Sequence, residues 1–544
     1  MVADLLDRPL QVTRPPVRRP RRAVGPLVVA LLLSIGSGVL LALAYPAANI
    51  WVLAFPGVAG LLLSLRGRSF WSGVLVGFAG GMAYYLALIS WVSLFLGPVP
   101  LLALAGLMSI YMGLGGGLIA IAYRAVPAVW TGRWGRLGVT PFVVAACWEA
   151  RESVANTFPY GGFAWGRVSL SQATSPFAPL VAWVGLSGLT FLLVWLTAFA
   201  LAVVLEPRAT FGRIGARRTW SRAVADALPK VFAVALAVAA LLAIPRVPLQ
   251  QTGSIRVAGI QANTKSGYFQ ASQVAYPGQI LDQNIRATLP VVVQRPDLVV
   301  WPEGASDLSP LTSEVAASDW TAVARVTGVP LLGGVITDRG GKLYNSSLLW
   351  DAQTGPTAIY DKVHPVPFGE YVPDRAFWTP FAPDLLKLIG RDYTIGTRSP
   401  VLTVGETRIG VNICFDIEDD GLMIGSVRDG AEVLIAQTNN ADFGRTEENL
   451  QQLAIARMRA IETGRALMSV STVSSTAAIG PDGRTLGAIP SFRPGALVTD
   501  LPLLTGTTPA VAFGVQLGIA IAIFGAFAPL IAALARRRRP RQPS

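Results

Sequence analysis

The most constraining feature of this sequence is a series of long apolar stretches at both ends of the chain. A helix that crosses a bilayer needs about 20 consecutive, mostly apolar residues. The chain of 544 residues contains eight segments that approach this length. The predicted spans are 24–46, 49–65, 70–97, 100–123, 138–155, 177–205, 230–247 and 508–535. The sequence therefore predicts a polytopic α-helical membrane bundle of about eight spans.

The composition agrees with a membrane protein. Hydrophobic residues make up 52% of the chain and charged residues 14%, whereas about a quarter of a soluble domain is charged. The weakest predicted span is 138–155, because it carries Glu149 and Arg151. Segment 24–46 could instead be a signal peptide, but its apolar run is long for one and further spans follow at once.

The distribution of basic residues predicts an orientation. Arginine-rich segments are the two tails and the loops after the second, fourth and sixth spans, and they alternate with loops that carry little positive charge. Because arginine favours the cytoplasmic side, both tails (1–23 and 536–544) are predicted to be cytoplasmic. The segment 248–507, between the seven spans of 24–247 and the last span at 508–535, would then lie outside the cytoplasm. The loss of one span would reverse this placement.

The net charge of +13 does not indicate a nucleic-acid partner, because the arginines flank apolar segments and form no patch interleaved with aromatic residues.

Cys147 and Cys414 are the only cysteines, and His364 is the only histidine. A serine triad would need a G-x-S-x-G elbow, which is absent, and a zinc site lacks ligands. A disulfide is excluded as a framework, because one cysteine lies in an apolar span. We expect neither a metal nor an organic cofactor.

From Ser254 onward the pattern changes to short strands that alternate with helices, which predicts an α/β or layered α+β domain. Three polar residues stand at or near the ends of apolar segments, namely Glu303, Lys362 and Cys414. Such strand ends converge at one edge of a sheet, where α/β folds place their chemistry. Taken alone, each of these residues is more typical of a structural position than of a catalytic one.

A carboxylate, an ammonium and a thiol together suffice for acyl transfer. The thiolate of Cys414 would attack a carbonyl, Glu303 would move the thiol proton, and Lys362 would stabilise the oxyanion. A nearby cation is also expected to lower the pKa of the thiol.

Three motifs in this segment resemble those of the nitrilase superfamily. They read Leu-Val-Val-Trp-Pro-Glu at 298–303, Asp-Lys-Val-His-Pro-Val-Pro-Phe-Gly-Glu-Tyr-Val-Pro at 361–373 and Asn-Ile-Cys at 412–414. The long lysine motif, set between apolar spans, resembles the bacterial apolipoprotein N-acyltransferases, and the similarity continues at 456–464, 158–172 and 185–188. The resemblance implies that 248–507 is a nitrilase-like catalytic domain, an αββα sandwich on the extracytoplasmic side of the plasma membrane.

The resemblance also implies a reaction. The family transfers a fatty acyl chain from a phospholipid to the N-terminal diacylglyceryl-cysteine amine of apolipoproteins, the last step of bacterial lipoprotein maturation. Cys414 would carry the acyl chain as a thioester, Glu303 would be the general base and acid, and Lys362 would help form the oxyanion hole. Glu370 matches a second glutamate that supports the site. The implied partners are the phospholipid donor, the apolipoprotein acceptor and membrane lipids, and we expect a monomer.

Five further residues are expected to contribute to substrate binding: Trp301, Tyr371, Trp378, Phe415 and Asp416. Trp378 belongs to the apolar segment 376–390, which is either an arm at the membrane interface or an ordinary core helix. Phe415 and Asp416 replace the Tyr-Glu pair that usually follows the cysteine in the family. An aromatic residue of the family corresponds here to Tyr268 or Phe269.

Two other functions fit the same residues. A membrane-tethered amidase would pass the thioester to water, and a scaffold would anchor a partner enzyme without catalysis. The apolar spans and segment 376–390 favour lipid substrates over soluble amides. The intact set of Glu303, Lys362 and Cys414 argues against a scaffold.

Overall fold

The first part of the fold is a bundle of apolar helices. The structure is a computed structural model that describes residues 24–206, 220–264 and 274–538, so Tyr268, Phe269 and most of both tails lie outside the described residues. In the bundle we number α1 (Val24–Ala42), α2 (Ala54–Leu65), α3 (Phe70–Leu88), α4 (Pro98–Val129), α5 (Thr140–Ala155), α6 (Val181–Leu205), α7 (Trp220–Leu242) and, last in the chain, α12 (Pro509–Arg538).

Four of the described helices, α3, α4, α6 and α12, are long and apolar enough to cross a membrane. The apolar parts of α1, α2 and α7 are shorter. Helix α5, in the weakest predicted span, has 16 residues and buries the ion pair between Arg151 and Glu152, whose atoms approach to 2.9 Å. The prediction of several apolar helices is confirmed, whereas the number of about eight spans stays a prediction.

Small residues allow the bundle helices to approach closely. A Cβ atom added to Gly73 of α3 would lie 2.8 Å from the carbonyl oxygen of Gly116 on α4. Helices in a membrane gain little from the hydrophobic effect between them, so close backbone packing of this kind holds them together.

The second part of the fold is a domain of two six-stranded sheets. The first sheet has the order β12-β1-β2-β3-β4-β5 and the second the order β11-β10-β9-β8-β7-β6. The strands are β1 (Gln250–Gln261), β2 (Leu298–Val300), β3 (Leu331–Arg339), β4 (Lys342–Asp351), β5 (Gly355–Asp361), β6 (Val401–Val404), β7 (Thr407–Ile413), β8 (Val433–Thr438), β9 (Ala466–Ser471), β10 (Ala477–Ile479), β11 (Thr485–Ala488) and β12 (Gly495–Thr505).

The two sheets face each other and carry helices on their outer sides. A buried core of aliphatic residues from both sheets, among them Val257, Leu332, Val411 and Ile435, fills the space between them. Helices α8 (Gln279–Thr288) and α9 (Glu314–Thr327) cover the first sheet. Helices α10 (Asp420–Arg428) and α11 (Glu448–Thr463) lie against the second. This layering agrees with the nitrilase-like sandwich that the resemblance implies.

Helix α11 joins the domain to the bundle. One hydrophobic core runs from the bundle helices through residues of α11, such as Ile455 and Met458, to Leu434 and Leu467 of the second sheet. Within the described part of the chain, this side of the two-sheet domain is therefore covered by the helical bundle, which serves as its next layer.

The side chain of Gln451, on α11, bridges the two parts. Its Oε1 accepts hydrogen bonds from the indole N–H groups of Trp91, at 3.0 Å, and Trp165, at 2.6 Å. Its Nε2 donates to the carbonyl oxygens of Pro46 and Leu88, both at 3.0 Å. All four partners belong to the segment before residue 206, so a single amide satisfies four groups at the junction.

We expect Gln451→Leu to destabilise the junction. It would leave two buried indole donors unsatisfied, and each unsatisfied donor costs about 1–3 kcal/mol, so the folded state should lose about 2–6 kcal/mol. The measurement is the thermal unfolding midpoint in detergent, together with the rate of proteolysis between the two parts. Gln353→Leu, at an exposed glutamine, is the control, and an equal effect of the two substitutions would contradict the role of Gln451.

Candidate active site

The ends of three strands bring the predicted catalytic residues together. Glu303 follows β2 and Lys362 follows β5 in the first sheet, whereas Cys414 follows β7 in the second. The two sheets are tied at this end, because the Gln437 Nε2 at the end of β8 donates to the carbonyl oxygen of Trp301 at 2.7 Å. The strand ends do not share one edge of a single sheet, as the sequence analysis expected, because Cys414 follows a strand of the second sheet and the site lies where the two sheets meet.

The ammonium of Lys362 is buried between two carboxylates. Its Nζ lies 3.4 Å from Oε1 of Glu303 and 2.7 Å from Oε2 of Glu370. Lys362 is 1% exposed and Glu303 is 0% exposed. Burial lowers the pKa of Lys362, but the attraction of Glu303 and Glu370 outweighs it and holds the pKa well above its usual value. Lys362 therefore keeps its positive charge at any physiological pH.

Neutral donors orient the two carboxylates. The Asn345 Nδ2 donates to Glu303 at 2.7 Å and to Glu370 at 3.0 Å. The backbone N–H of Asn439 donates to the other oxygen of Glu303 at 2.8 Å. A Cβ atom added to Gly334 of β3 would lie 2.6 Å from the Cα of Glu303, so only glycine fits there. Both carboxylates are thus fixed before any substrate arrives.

Cys414 begins a sharp turn, Cys414–Glu418. Its φ is +51°, which is uncommon for a residue other than glycine, and such conformations cluster at active sites. The buried carboxylate of Asp416 braces this turn. It accepts from the backbone N–H of Ile413 at 3.1 Å, from that of His364 at 2.8 Å and from the hydroxyl of Tyr360 at 2.7 Å. Asp416 therefore links the cysteine turn to the segment that follows Lys362.

Burial and the neighbouring charged groups together determine the pKa of the Cys414 thiol. Burial and the carboxylate of Glu303 raise its pKa, and Lys362 offsets this only in part. Lys362 lowers the pKa of the thiol, as expected, but the opposing effect of burial is larger, so the pKa lies above its usual value. The Gln452 Nε2 donates to the sulfur at 3.6 Å, and its Oε1 accepts from Thr438 at 2.8 Å and from Asn440 at 2.9 Å.

The five predicted substrate-binding residues have different surroundings. Trp301 is buried against Trp320, and its indole donates to Thr288 at 2.8 Å, so it lies in the core behind the first sheet. Asp416 is also buried, in the role described above. A contact of either residue with substrate stays a prediction.

Tyr371 and Phe415 line a cavity of about 580 Å³ between the domain and the bundle. Val363 and Phe415, the neighbours of Lys362 and Cys414 in the chain, form part of its wall. Phe415 also stacks on Phe163 of the bundle, with ring centroids 6.4 Å apart. The cavity therefore begins beside the reactive groups.

Segment 376–390 is neither a plain core helix nor a fully exposed arm. It contains the end of the short helix Arg375–Trp378 and the short helix Pro383–Leu388. Leu386 and Ile389 are buried, whereas three apolar residues, Phe377, Phe381 and Leu388, are exposed. The indole of Trp378 donates to the hydroxyl of Tyr160 at 3.2 Å, which holds the segment against the loop that follows α5.

Matches to known proteins cover both parts of the chain. The family model described as the apolipoprotein N-acyltransferase N-terminal domain matches residues 37–199, and the carbon-nitrogen hydrolase model matches residues 256–508. An apolipoprotein N-acyltransferase from Mycolicibacterium smegmatis is 31% identical over 525 residues, which cover 92% of this chain and 84% of that protein. This chain belongs to the apolipoprotein N-acyltransferase family.

Other relatives carry the same name. An apolipoprotein N-acyltransferase from Bordetella bronchiseptica is 31% identical over 81% of this chain and 82% of its own. One from Haemophilus ducreyi is 27% identical over 90% and 94%. Among solved structures, an amidase of the nitrilase superfamily from Nesterenkonia AN1 is 20% identical, covers 47% of this chain and 94% of its own, and has a TM-score of 0.36.

Several residues around the site carry no signal in the sequence. Asn345 lies within β4, and Gln452 lies on α11, one position after the bridging Gln451. Neither belongs to the three motifs that carry the resemblance to the family.

Among the residues that the structure describes, no cluster of three or more His, Cys, Asp or Glu side chains could hold a metal ion.

Glu448, on α11, should make stability depend on pH. Burial raises the pKa of Glu448 to about 8, above the value of an exposed glutamate, which the unfolded chain would have. The folded state thus holds this proton while the unfolded state loses it, and stability present below about pH 4.3 is lost as the pH rises towards 8. We expect Glu448→Gln to flatten the fall of the thermal midpoint between pH 5 and pH 8.

The adjacent exposed glutamate provides the matched control. Glu447→Gln removes a carboxylate one position away, at a side chain open to solvent, and should leave the pH profile of the midpoint unchanged. Parallel profiles for wild type and Glu448→Gln would contradict the prediction.

Proposed function

We propose that this chain transfers a fatty acyl group from a phospholipid to the N-terminal amine of an apolipoprotein, through a thioester on Cys414. The observation that carries the proposal is the buried group of Glu303, Lys362 and Glu370 beside Cys414, in a chain of the apolipoprotein N-acyltransferase family. Glu303, Lys362 and Cys414 are the proposed catalytic residues, and Glu370 is a positioning residue.

In the first half-reaction, Glu303 accepts the proton of the Cys414 thiol as the sulfur attacks an ester carbonyl of the phospholipid. A carbon–sulfur bond forms, and the carbonyl oxygen takes the negative charge. Lys362 stabilises this oxyanion, because its charge is fixed and desolvated. When the ester bond breaks, Glu303 gives the proton to the departing oxygen, and a lysophospholipid leaves.

In the second half-reaction, the neutral amine of the acceptor attacks the thioester carbonyl. Glu303 takes a proton from the amine and returns it to the sulfur of Cys414 as the carbon–sulfur bond breaks. An amide bond has then replaced the thioester, and the enzyme has regained its thiol. Because the resting thiol has a raised pKa, the first half-reaction begins with a protonated sulfur and the second ends with one, and one carboxylate moves the proton in both.

The unequal distances around Lys362 support separate tasks for the two glutamates. Glu370 is the nearer partner, at 2.7 Å, and Glu303 the farther one, at 3.4 Å. Glu370 holds the ammonium in place, which leaves Glu303 to exchange a proton with Cys414. Glu370 therefore acts through Lys362.

The ends of α12 support the proposed orientation. The helix begins at Pro509, next to the last strand of the domain, and ends in Arg536, Arg537 and Arg538. Arginines at the end of a span favour the cytoplasmic side, so residues 248–507 would lie at the opposite, extracytoplasmic end. The Arg536 Nη1 also donates to the carbonyl oxygen of Arg124 at 3.0 Å, which places the basic ends of α4 and α12 side by side.

Exposed apolar residues near the cavity favour lipid substrates over the soluble amides of a hydrolase. Phe377, Phe381 and Leu388 are exposed, and Phe and Leu are typical of the apolar face of a segment that lies in the membrane interface. A membrane-tethered hydrolase with the same catalytic residues is the alternative, and the fate of the thioester distinguishes the two.

The first test is intact-mass analysis of the purified protein after incubation with phospholipid. We expect the wild type to gain the mass of one acyl chain and Cys414→Ala to gain none, because no other group on the chain is proposed to carry the acyl chain. Cys147→Ala is the matched control, since Cys147 is buried in the bundle against Gly525, and it should acylate normally.

Release of the acyl chain completes this test. Discharge by a diacylglyceryl-cysteine peptide would support the acyltransferase, whereas discharge by water alone would indicate the hydrolase. A folded wild type that forms no adduct would refute the thioester mechanism.

A second prediction concerns the proton carrier. Glu303→Gln keeps an oxygen that can accept the Asn439 bond but cannot take a proton, so acylation of Cys414 should slow by about a hundredfold or more. Single-turnover formation of the mass adduct measures this rate. Glu314→Gln, at an exposed glutamate, is the control, and an unchanged rate in Glu303→Gln would exclude Glu303 as the base.

A further inference from the structure

A neutral side chain, Gln452, places a hydrogen-bond donor beside the sulfur of Cys414. Its Nε2 lies 3.6 Å from Sγ. In the proposed reaction Glu303 moves the proton and Lys362 stabilises the oxyanion, so neither is assigned to the charge that the sulfur itself carries. Gln452 is placed to stabilise that charge.

The hydrogen bonds of Gln452 show which end of its amide faces the sulfur. Its Oε1 accepts from the hydroxyl of Thr438 at 2.8 Å and from Nδ2 of Asn440 at 2.9 Å. An amide whose oxygen accepts two bonds on one side presents its nitrogen on the other, and Cys414 lies there. Gln452 is therefore a donor to the sulfur and not an acceptor from the thiol.

The amide of Asn440 is itself held in one orientation. Its Nδ2 also donates to Oε2 of Glu448 at 2.8 Å, and its Oδ1 accepts from the hydroxyl of Ser471 at 2.6 Å. The Oγ of Ser471 accepts from the backbone N–H of Ser474 at 3.2 Å, which leaves its own proton for Asn440. The two amides are thus fixed by the fold before any substrate arrives.

These hydrogen bonds lie in the interior of the protein. Gln452 is 6% exposed, Asn440 is 0% exposed and Glu448 is 2% exposed. Because the amide is already oriented and water does not compete for it, the donor needs no reorganisation during the reaction. Such a donor binds a thiolate more strongly than a neutral thiol, and a preference of this kind is what catalysis requires.

The sulfur and its donor belong to the same side of the site. Cys414 follows β7, Thr438 ends β8, and Gln452 lies on α11, which packs against the second sheet. Glu303 and Lys362 follow strands of the first sheet. The second sheet thus holds the sulfur, whereas the first sheet holds the groups proposed to act on the proton and on the carbonyl oxygen.

The sulfur carries negative charge twice in the proposed reaction. It does so as Glu303 removes the thiol proton, and again as the carbon–sulfur bond breaks in the second half-reaction. Burial makes this charge costly, because it raises the pKa of the Cys414 thiol. A neutral N–H group reduces the cost and adds no second cation that would compete with Lys362 for Glu303.

We propose that Gln452 is a further catalytic residue, whose Nε2–H group stabilises the negative charge on the sulfur of Cys414 in both half-reactions. No bond to Gln452 forms or breaks, and Glu303 remains the proton carrier. The proposal rests on the proposed function, because it assigns a task within the same thioester reaction.

The first test is the rate at which iodoacetamide alkylates Cys414 at about pH 8, followed by intact mass. A Cys147→Ala background leaves one thiol. Gln452→Glu keeps an oxygen for Thr438 and Asn440 but removes the N–H group. Loss of a hydrogen bond to an anion should reduce the thiolate population about tenfold, and the greater nucleophilicity of a weaker acid offsets part of this. We therefore expect alkylation to slow by about threefold or more.

Acylation by phospholipid should slow by about tenfold or more in Gln452→Glu, and the slowing should depend on pH. The introduced carboxyl can donate to the sulfur only when it is protonated, so its rate relative to the wild type should rise as the pH falls from about 9 to about 6. The charged groups that act on the sulfur are common to both proteins and do not produce this difference by themselves: Glu303, Lys362, Glu370 and Glu448. A ratio that is the same at every pH would indicate structural damage and overturn the proposal.

Two further variants complete the test. Gln353→Glu makes the same chemical change at an exposed glutamine and should alkylate and acylate as the wild type does. Gln452→Met has a side chain of similar length without an N–H group and should slow both reactions. The thermal unfolding midpoint identifies the folded variants, and wild-type alkylation in a folded Gln452→Glu or Gln452→Met would refute the role of Gln452.

Alkylation needs no phospholipid, so the two proposals fail in distinguishable ways. A wild-type rate of acylation in Gln452→Glu would overturn the role of Gln452 and leave the thioester mechanism standing. A wild type whose Cys414 is alkylated but forms no acyl adduct would refute the thioester mechanism, and the catalytic role of Gln452 with it.

Discussion

The structure depends on one buried ionic group, in which Lys362 stands between Glu303 and Glu370. Three charges in a dry interior are costly, and they are tolerated only when each is paired and hydrogen-bonded. Asn345 and the backbone of Asn439 complete that pairing. The two sheets must therefore keep a fixed position relative to each other at this end, and the apolar core between them holds them in that position. The same arrangement leaves a fixed cation and a proton acceptor next to the thiol.

Burial also shapes the chemistry of the cysteine. The sulfur is poorly solvated, so its pKa lies above its usual value despite the nearby lysine. In the proposed mechanism a reactive anion therefore need not persist between turnovers, and it forms only as Glu303 removes the proton. A thiol held in this state resists oxidation and unwanted alkylation, because those reactions require the thiolate.

The bundle and the domain form a single folded unit. Helix α11 carries Gln451, which bonds the bundle, and Gln452, which contacts Cys414, at consecutive positions. On the same helix, Glu462 accepts from the backbone N–H of Leu186 at 3.1 Å. A displacement of the domain on the membrane would consequently move the site. The turn after the cysteine supplies both the bracing carboxylate of Asp416 and the ring of Phe415, which lines the adjoining cavity.

The sequence alone determined those features that depend only on residues close together in the chain. Apolar length and basic flanks are local properties, so the helices and the globular segment from Ser254 could be predicted, and the motifs around Glu303, Lys362 and Cys414 carried the resemblance to the family. The polar segment of α5 remained doubtful, because the pairing of Arg151 with Glu152 inside a bundle is not visible in hydropathy. The tertiary structure decided the rest. Arg167 and Asp420 are 253 positions apart, and Trp165 and Gln451 are 286 apart. No local pattern relates such residues, because only the docking of the domain on the bundle brings them into contact.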